Sequence, residues 1–208
     1  MSGHGHSCGQ DHHKHDHDDA ERGQQYSLYL KIDTEKVQCL NEVVDGSGKD
    51  VFKPWDRRLD SEKFVESDAD EELLFNIPFT GNIKLKGIIV IGGEGDQHPA
   101  EMKLFKNRPH MTFDDAAAEA DQVFEMHEDR LGQLEYETKI SRFSSVEHLT
   151  IYFTKNFGDD ITKVYYIGLK GEFSEFKKHG VTICTYEARA MPSDHKANAF
   201  DSVGHEIN

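Results

Sequence analysis

The stretch Ile83-Lys84-Leu85-Lys86-Gly87-Ile88-Ile89-Val90-Ile91 decides the fold class of this chain. Its first half alternates apolar residues with lysines, the period of two that places apolar side chains on one face of a strand. From Ile88 the stretch is continuously apolar, as in a strand that is buried on both faces. A strand that passes from a half-exposed face into an interior is typical of a β-sandwich, and the Gly-rich run at 92–96 ends it.

Further short strands are predicted on both sides of this stretch. Residues 73–77 form one, and we expect Pro78 to mark its end or a sheet edge because proline cannot donate to a ladder. Residues 148–154 and 161–169 form two more, which we expect to be antiparallel neighbours joined by a loop at 156–160. The remaining strand candidates are residues 28–32, 102–106 and 181–186, and residues 37–44 predict either a short strand or a helical turn.

One helical segment interrupts this pattern. Residues 113–120 carry acidic residues in the first turn, with Thr112 or Asp114 as the cap, and predict two or three turns. Trp55 lies in an irregular segment, and we interpret it as filling an edge of the core rather than stacking on a ligand. Seven or eight short strands with one short helix predict an all-β protein, a jelly-roll β-sandwich.

Composition restricts the class of function. The net charge of −15 over 208 residues opposes the positive field that nucleic-acid binding requires. Such a charge secures solubility and also favours docking against a basic patch on another protein. Because the sequence lacks both a secretory signal and an apolar run of about 18 residues, we expect a soluble protein that is neither secreted nor membrane-spanning.

The cysteines indicate a reducing compartment. There are three, Cys8, Cys39 and Cys184, with no Cys-x-x-Cys pair, so neither a disulfide framework nor a zinc ribbon nor thiol-disulfide exchange is supported. We interpret Cys39 and Cys184 as small buried apolar residues.

Both ends of the chain have the composition of tails. Residues 1–25 are almost devoid of large apolar side chains, so we expect disorder there, and residues 188–208 predict a flexible tail. Imidazoles bind transition metals, but the spacing here does not match a structural metal site. We predict a solvated tail, although loose chelation stays an alternative for its histidines: His4, His6, His12, His13, His15 and His17.

No catalytic motif emerges from the sequence. Serine-hydrolase elbows, zinc-protease helices and Walker loops are all missing. Paired carboxylates at Asp68/Asp70, Asp114/Asp115 and Asp159/Asp160 are compatible with acid-base chemistry or Ca²⁺ binding. We favour a structural role in turns and caps for them, and we predict no catalytic residue, no cofactor and no metal site in the folded domain.

Several motifs in order resemble the PITH domain, the proteasome-interacting domain of thioredoxin-like proteins. The resemblance covers about residues 26–187 and is carried by Glu66-Ser67-Asp68-Ala69-Asp70-Glu71-Glu72-Leu73-Leu74, Asn76-Ile77-Pro78-Phe79, Leu104-Phe105-Lys106-Asn107-Arg108-Pro109, Phe113-Asp114-Asp115-Ala116 and the run from Ile161 to Gly171. In thioredoxin-like members a thioredoxin domain precedes this module. Since only a His-rich tail precedes it here, the chain resembles a stand-alone PITH domain-containing protein.

The resemblance implies a galactose-binding-domain-like jelly roll, a location in cytoplasm and nucleus, and association with the regulatory particle of the 26S proteasome. It implies no reaction and no sugar binding, since a fold does not fix a function. We expect a monomer when the protein is unbound. Two alternatives stay open: a module that binds a glycan, Ca²⁺ or another small molecule at the loop end of the sandwich, and a hydrolase that uses Asp and His of the same rim.

Partner contact is predicted for two groups of residues. Asp68, Asp70 and Arg108 belong to a polar set, with Asn107, Asp114 and Asp115, that locks turns or contacts a partner, and Arg108 is expected to pair bidentately with a carboxylate. His205 and Glu206 lie near the C-terminus, in a segment that is either an unengaged tail or a partner contact. The regulatory particle contains a zinc-dependent deubiquitinase, and a tail imidazole is suited to the open zinc position.

Overall fold

The computed structural model describes residues 21–176. Over this range eight strands form, connected by turns and by short 3-10 segments. The strands are β1 Gln38–Leu40, β2 Val65–Glu66, β3 Leu73–Gly92, β4 Pro99–Lys106, β5 Gln122–Glu125, β6 Tyr136–Glu137, β7 Val146–Asn156 and β8 Lys163–Ser174. Residues 21–25 are α-helical, and 3-10 helices lie at Ser27–Lys31, Thr34–Lys36, Ser47–Lys49, Trp55–Arg57, Gly95–Gln97 and Asp115–Ala117. Within the described range, no helix is long and apolar enough to cross a membrane.

The 20-residue strand β3 belongs to both layers of the sandwich. Its first half pairs with β1 and with β7, where Leu73 lies opposite Phe153. Its second half pairs with β6 and with β8, where Ile91 lies opposite Tyr166. All of these pairings are antiparallel, and β4 and β5 extend the first layer while β2 extends the second. The molecule is therefore an all-β jelly-roll sandwich, as predicted.

The corner of β3 lies at residues 78–82, where the register shifts between Pro78 and Ile83. The prediction that Pro78 ends a strand is wrong, because β3 continues through it. The hydrogen-bond ladder is already interrupted at this bend, so the N–H that proline lacks is not needed there. Glycine is required at position 81 because atoms of β8 lie too close for a side chain. A Cβ there would lie 2.6 Å from the ring of Phe173 and 2.7 Å from the backbone oxygen of Ser174.

Strands β7 and β8 are not neighbours, which corrects a second prediction. β7 pairs with β3 and β4, whereas β8 pairs with β3 and β2. The loop between them crosses from one layer to the other, so two strands that are consecutive in sequence end in different layers. Sequence alternation identifies each strand but not its partner.

The main core lies between the two layers. The predicted strand at 148–154 lies within β7, and its residues Leu149, Ile151 and Phe153 are all fully buried there. Each layer also has an apolar outer face. The outer face of the second layer, with Ile89, Ile91 and Tyr166, is covered by Tyr26 and Trp55, which confirms Trp55 as part of the core.

The outer face of the first layer is covered by the loop after β4. Met111 and Ala116 of this loop pack on Leu74, Phe105 and Tyr152. Asn76, 2% exposed, fixes the loop through two bonds with the backbone of Met111. Its amide donates to the Met111 oxygen over 2.9 Å, and its oxygen accepts from the Met111 N–H over 3.1 Å and from the Thr150 hydroxyl over 3.2 Å.

One strand prediction and one helix prediction are also corrected. The predicted strand at 28–32 is wrong: Ser27–Lys31 is a 3-10 helix that packs Leu28 into the core, and the strand pairing of this segment within the described residues is one bridge between Ile32 and Phe79. The predicted helix at 113–120 is a single 3-10 turn, Asp115–Ala117, in which the Thr112 hydroxyl accepts from the Asp115 N–H. The predicted strand at 181–186 lies outside the described residues.

Candidate functional site

Four loops meet at the end of the sandwich where β3 both begins and ends. We call this surface the acidic end and define it by residues 41–50, 66–72, 93–98 and 157–162. Backbone bonds hold the loops side by side: Val43 N–H donates to the Glu66 oxygen over 2.9 Å, Ser67 N–H to Thr162 over 2.9 Å, and Phe157 N–H to Asp96 over 3.0 Å. The end is therefore one continuous surface built by both layers.

The loop at 66–72 is shaped around Asn41. This residue has a φ of 67°, a left-handed conformation that asparagine adopts more readily than most residues. Its side-chain amide donates to the Asp70 carboxylate and to the Glu72 oxygen, both over 2.7 Å, while its oxygen accepts from the Ala69 N–H over 3.0 Å. Asp70 thus has a structural bond, whereas Asp68 is exposed and its carboxylate makes no hydrogen bond or ion pair within the described range.

Buried hydrogen bonds join the same loop to Thr162, the last residue of the loop at 157–162. Ser67 and Thr162 are both fully buried. The Ser67 hydroxyl accepts from the Thr162 N–H over 2.8 Å, and the Thr162 hydroxyl donates to the Glu71 oxygen over 2.6 Å. Because these polar groups are paired out of water, the loops are held in one conformation.

The charge of the acidic end is not balanced locally. Lys49 is the one lysine or arginine in its four loops. The loops hold twelve carboxylates, of which Asp50 pairs with Lys63 and Glu66 with Lys163. Across residues 21–176, no ion pair involves the other ten: Glu42, Asp45, Asp68, Asp70, Glu71, Glu72, Glu94, Asp96, Asp159 and Asp160. Apolar side chains are exposed among them, with Val43 at 51%, Val44 at 65% and Phe157 at 42%. Exposed apolar groups inside a charged rim are typical of surfaces that dock other proteins.

His98 is the one histidine of the acidic end, and it is fully buried. Its Nδ1 lies 2.8 Å from the Pro99 oxygen and its Nε2 accepts from the Asp129 N–H over 3.2 Å, so the Nδ1–H tautomer satisfies both contacts. Burial lowers the pKa of His98 below its ordinary value. The ring is therefore neutral and fully engaged, an arrangement suited to support and not to proton transfer with a substrate.

Asp129, held by His98, organises the loop before β6. One carboxylate oxygen accepts from the N–H groups of Leu131 and Gly132 over 3.0 and 2.8 Å, and the other accepts from Leu134 over 2.6 Å. Three donors satisfy a carboxylate that is only 6% exposed. His98 and Asp129 thus connect the acidic end to the neighbouring surface of the second layer.

The structure separates the residues that were expected to form one polar set. Asp68 and Asp70 lie together at the acidic end. Arg108 lies beyond the opposite end of β4, with its guanidinium carbon 5.2 Å from the ring centroid of Phe105. In the described range, no ion pair joins Arg108 to a carboxylate, so the expected bidentate pair is not formed.

The other members of that set have local roles. Asn107, at a φ of 55°, accepts from the N–H of Glu147 over 2.8 Å and donates to the Ser145 oxygen over 3.0 Å. Asp115 accepts from the Thr112 N–H over 2.9 Å, which lowers the pKa of its carboxyl group. The turn-locking interpretation is confirmed for Asn107 and Asp115. His205 and Glu206 lie outside the described residues.

Asn41, Asn76 and Thr162 were missed by the sequence analysis. Their partners lie far away in sequence, up to 91 residues for the bond from Thr162 to Glu71. The sequence held a weak signal for Asn41, because asparagine adopts the left-handed backbone conformation in turns more readily than most residues. Among the described residues there is no group of three or more side chains placed to hold a metal ion.

Comparison with known proteins supports one family over the whole described region. The family model of the PITH domain matches residues 18–190. PITH domain-containing protein CG6153 of Drosophila melanogaster is 61% identical over 208 residues, covering 98% of this chain and 99% of that protein. PITH domain-containing protein 1 of Homo sapiens is 60% identical over 188 residues, covering 90% of this chain and 89% of that protein.

A solved structure supports the fold independently. The CBM32-1 and CBM32-2 domains of Clostridium perfringens ZmpB, in complex with GalNAc, are similar with a TM-score of 0.50 at 13% identity, covering 78% of this chain and 40% of that one. At this identity the likeness concerns the fold alone. It confirms the predicted galactose-binding-like jelly roll.

Proposed function

Because the chain belongs to the PITH domain family, we propose that it is a non-enzymatic protein-interaction module that associates with the regulatory particle of the 26S proteasome and modulates its activity. The name of the family, the proteasome-interacting domain of thioredoxin-like proteins, supports this partner. A cytoplasmic and nuclear location belongs to the same proposal.

The acidic end carries the proposal. Ten of its twelve carboxylates form no ion pair in residues 21–176, and three apolar side chains are exposed among them. Leaving like charges side by side costs stability, and a basic patch on a partner would relieve that cost. Asp68 and Asp70 of the predicted contact set belong to this surface. Arg108 lies away from it, and we assign it no part in this docking surface.

A hydrolase at this rim is disfavoured by His98. Both of its ring nitrogens are engaged in bonds that position Pro99 and Asp129, and its side chain is 0% exposed. A general base must reach the proton that it removes. The remaining alternative is a module that binds a glycan or Ca²⁺ at the loop end, and a rise in the melting temperature with GalNAc or CaCl₂ would favour it.

Affinity purification of the full chain from gently lysed cells, followed by mass spectrometry, tests the partner. We expect regulatory-particle subunits to be recovered. A triple variant with Asp68→Lys, Asp96→Lys and Asp160→Lys should lose them, because no side-chain bond within the described region depends on these three carboxylates. Recovery of no proteasome subunit with the unsubstituted chain would refute the function itself.

The matched control reverses the same number of charges elsewhere. Glu35, Glu119 and Glu147 are exposed and lie outside the acidic end. Their replacement by lysine should leave recovery unchanged. If both triple variants bind equally well, the proteasome association stands and the acidic end is not its docking surface.

The C-terminal residues are a separate part of the proposal. We expect His205 to approach the zinc of the deubiquitinase in the regulatory particle, since a neutral imidazole is a good zinc ligand. His205→Ala should then change the deubiquitinase rate while leaving the melting temperature of the free protein unchanged. An unaltered rate together with unaltered proteasome affinity would remove this role for His205.

A further inference from the structure

Strand β5 is the last strand of the first layer and pairs with β4 alone. The Met126 N–H donates to the Ala100 oxygen over 2.9 Å, which continues the β4–β5 register. In an antiparallel ladder every second residue faces the partner strand, so the residues between them face the other way. Val123 and Glu125 therefore direct their backbone N–H and C=O groups away from the sheet. We call these four groups the free edge.

Side chains pair the backbone groups that adjoin the free edge. The Gln122 carboxamide donates to the Glu137 oxygen over 3.2 Å and accepts from the Lys139 N–H over 2.9 Å, at the edge of the second layer. The His127 N–H, which follows in the same outward row, donates to the Tyr136 hydroxyl over 2.9 Å. In the part of the chain that the structure describes, the four groups of the free edge make no such bond. The free edge is therefore open between two capped positions.

An open strand edge is a template for a further strand. Proteins commonly block such edges with lysine or proline, and the β5 sequence Gln-Val-Phe-Glu has neither. Because two residues face outward, an added strand can form up to four backbone hydrogen bonds here, one for each group of the free edge. So few bonds hold a partner weakly by themselves, and the side chains along β5 must therefore select it.

The outer face of β5 presents one apolar and one acidic side chain. Val123 is 50% exposed. Glu125 is also exposed, and no ion pair within the described residues involves it. Glu101, opposite it on β4, lies 3.7 Å from Lys103 and 3.6 Å from Lys155 instead. A strand added here gains most from an apolar residue beside Val123 and a lysine or arginine beside Glu125.

The inner face of β5 presents an aromatic pair. Phe124, the residue between the two outward ones, packs against Tyr136 with ring centroids 5.6 Å apart. Both side chains are partly buried. The middle residue of an added strand would lie beside Phe124 on the same face, and an apolar side chain there would complete the burial of the two rings.

We propose that β5 takes an extended segment of a partner protein as a further antiparallel strand, with a basic residue beside Glu125, an apolar residue beside Phe124 and another beside Val123. From its N-terminus the segment reads basic-apolar-apolar. A second copy of this chain fits poorly, because two chains with a net charge of −15 repel each other. The free edge lies outside the four loops of the acidic end, so the inference does not depend on the proteasome association.

Binding of a synthetic peptide to the full chain, measured by fluorescence anisotropy, tests the proposal. The probe is fluorescein-labelled Thr-Lys-Ile-Val-Thr, for which we expect saturable binding, and Thr-Glu-Ile-Val-Thr should bind more weakly. Methyl groups on the Lys and Val nitrogens of the probe remove the two N–H groups that face β5, and the lost hydrogen bonds should weaken binding about tenfold. A methyl group on the Ile nitrogen, whose N–H faces away from β5, is the matched control and should weaken binding far less.

Variants of the protein test the same edge from the other side. Val123→Pro removes only an outward N–H, so the ladder with β4 is retained while the added strand loses a donor and meets the proline ring. We expect it to bind the probe about tenfold more weakly, and Val123→Thr, which keeps the N–H, to bind much more tightly than the proline variant. Glu125→Lys should reverse the preference between the Lys and Glu peptides. Glu35→Lys, at an exposed position away from β5, should not.

Amide hydrogen exchange of Val123 and Glu125 in the unsubstituted chain locates the peptide independently of any variant, and melting temperatures show which variants are folded. Both amides should exchange rapidly in the free protein and slowly when the probe is bound. Slow exchange in the free protein would show that another part of the chain or a second copy already covers the edge, and would overturn the proposal. Absence of saturable binding, equal weakening by all of the N-methyl groups, or exchange that the bound probe leaves unchanged would overturn it as well.

Discussion

Asn76 is a polar residue on a strand whose flanking residues, Phe75 and Ile77, are fully buried and apolar. It is retained there because the backbone of Met111 needs both a donor and an acceptor, and one carboxamide supplies them. An apolar side chain of the same size would leave both groups of Met111 unpaired and buried. The residue thus decides whether the loop after β4 covers the first layer.

We predict that Asn76→Leu lowers the free energy of unfolding by about 2–3 kcal/mol, because it removes a buried pair of hydrogen bonds and leaves their partners unsatisfied. Urea denaturation followed by tryptophan fluorescence measures this. Asn82→Leu is the control, since its side chain bonds the Ser145 hydroxyl in an exposed position. Equal losses in the two variants would show that the Met111 bonds contribute little.

His98 predicts a pH dependence of stability. Its pKa in the folded protein is lowered, chiefly by burial. The unfolded chain therefore takes up a proton first as the pH falls, so the stabilisation is complete above about pH 6.5, the ordinary histidine value, and is lost below it. Melting temperatures between pH 7.5 and 5 should fall less steeply for His98→Gln, which retains an acceptor, than for the unsubstituted protein.

The exposed His127 provides the comparison for this experiment. His127→Gln should leave the pH profile of the melting temperature parallel to that of the unsubstituted protein. If the His98→Gln profile is parallel as well, protonation of the buried ring does not control acid stability.

At the level of elements, β3 shows what a local pattern can and cannot predict. Its alternation and its apolar run identified strand residues correctly, because these follow from the period of a strand. Local rules could not show that Pro78 lies inside a continuous strand, since the bend depends on the packing of Gly81 against β8. The same limit explains why Asp68 and Asp70 could be named as site residues while their organiser, Asn41, could not.

We predict that Gly81→Ala destabilises the protein by about 1–3 kcal/mol, the usual cost of forcing an extra methyl group into a packed site. The new Cβ would meet both the Phe173 ring and the backbone oxygen of Ser174. Thermal unfolding of the variant measures the loss. Gly23→Ala, where the Cβ would have ordinary contacts at 3.8 Å from Trp55, should be neutral or slightly stabilising. If Gly81→Ala leaves the melting temperature unchanged, the corner of β3 accommodates the methyl group without a loss of stability.

For the whole molecule, the two layers share one core, and Ile151 lies fully buried within it. Ile151→Asp should cost several kcal/mol, comparable with the total stability of a small domain, and so unfold it. Circular dichroism and the melting temperature measure this. Val123→Asp, on the strand β5 and 50% exposed, should remain folded. A folded Ile151→Asp variant with unchanged melting would contradict the core described above.

The shared strand also has a consequence for synthesis on the ribosome. Both of the long partners of β3 follow it in sequence, and the bond from Ser174 to Asn82 spans 92 residues. Until those partners emerge, a nascent chain presents a long, largely apolar ribbon with unpaired edges, the kind of segment that aggregates unless a chaperone shields it. Closure of the jelly roll is therefore postponed until β8, the last strand of the described residues, leaves the exit tunnel, and folding is expected to be slow and all-or-none.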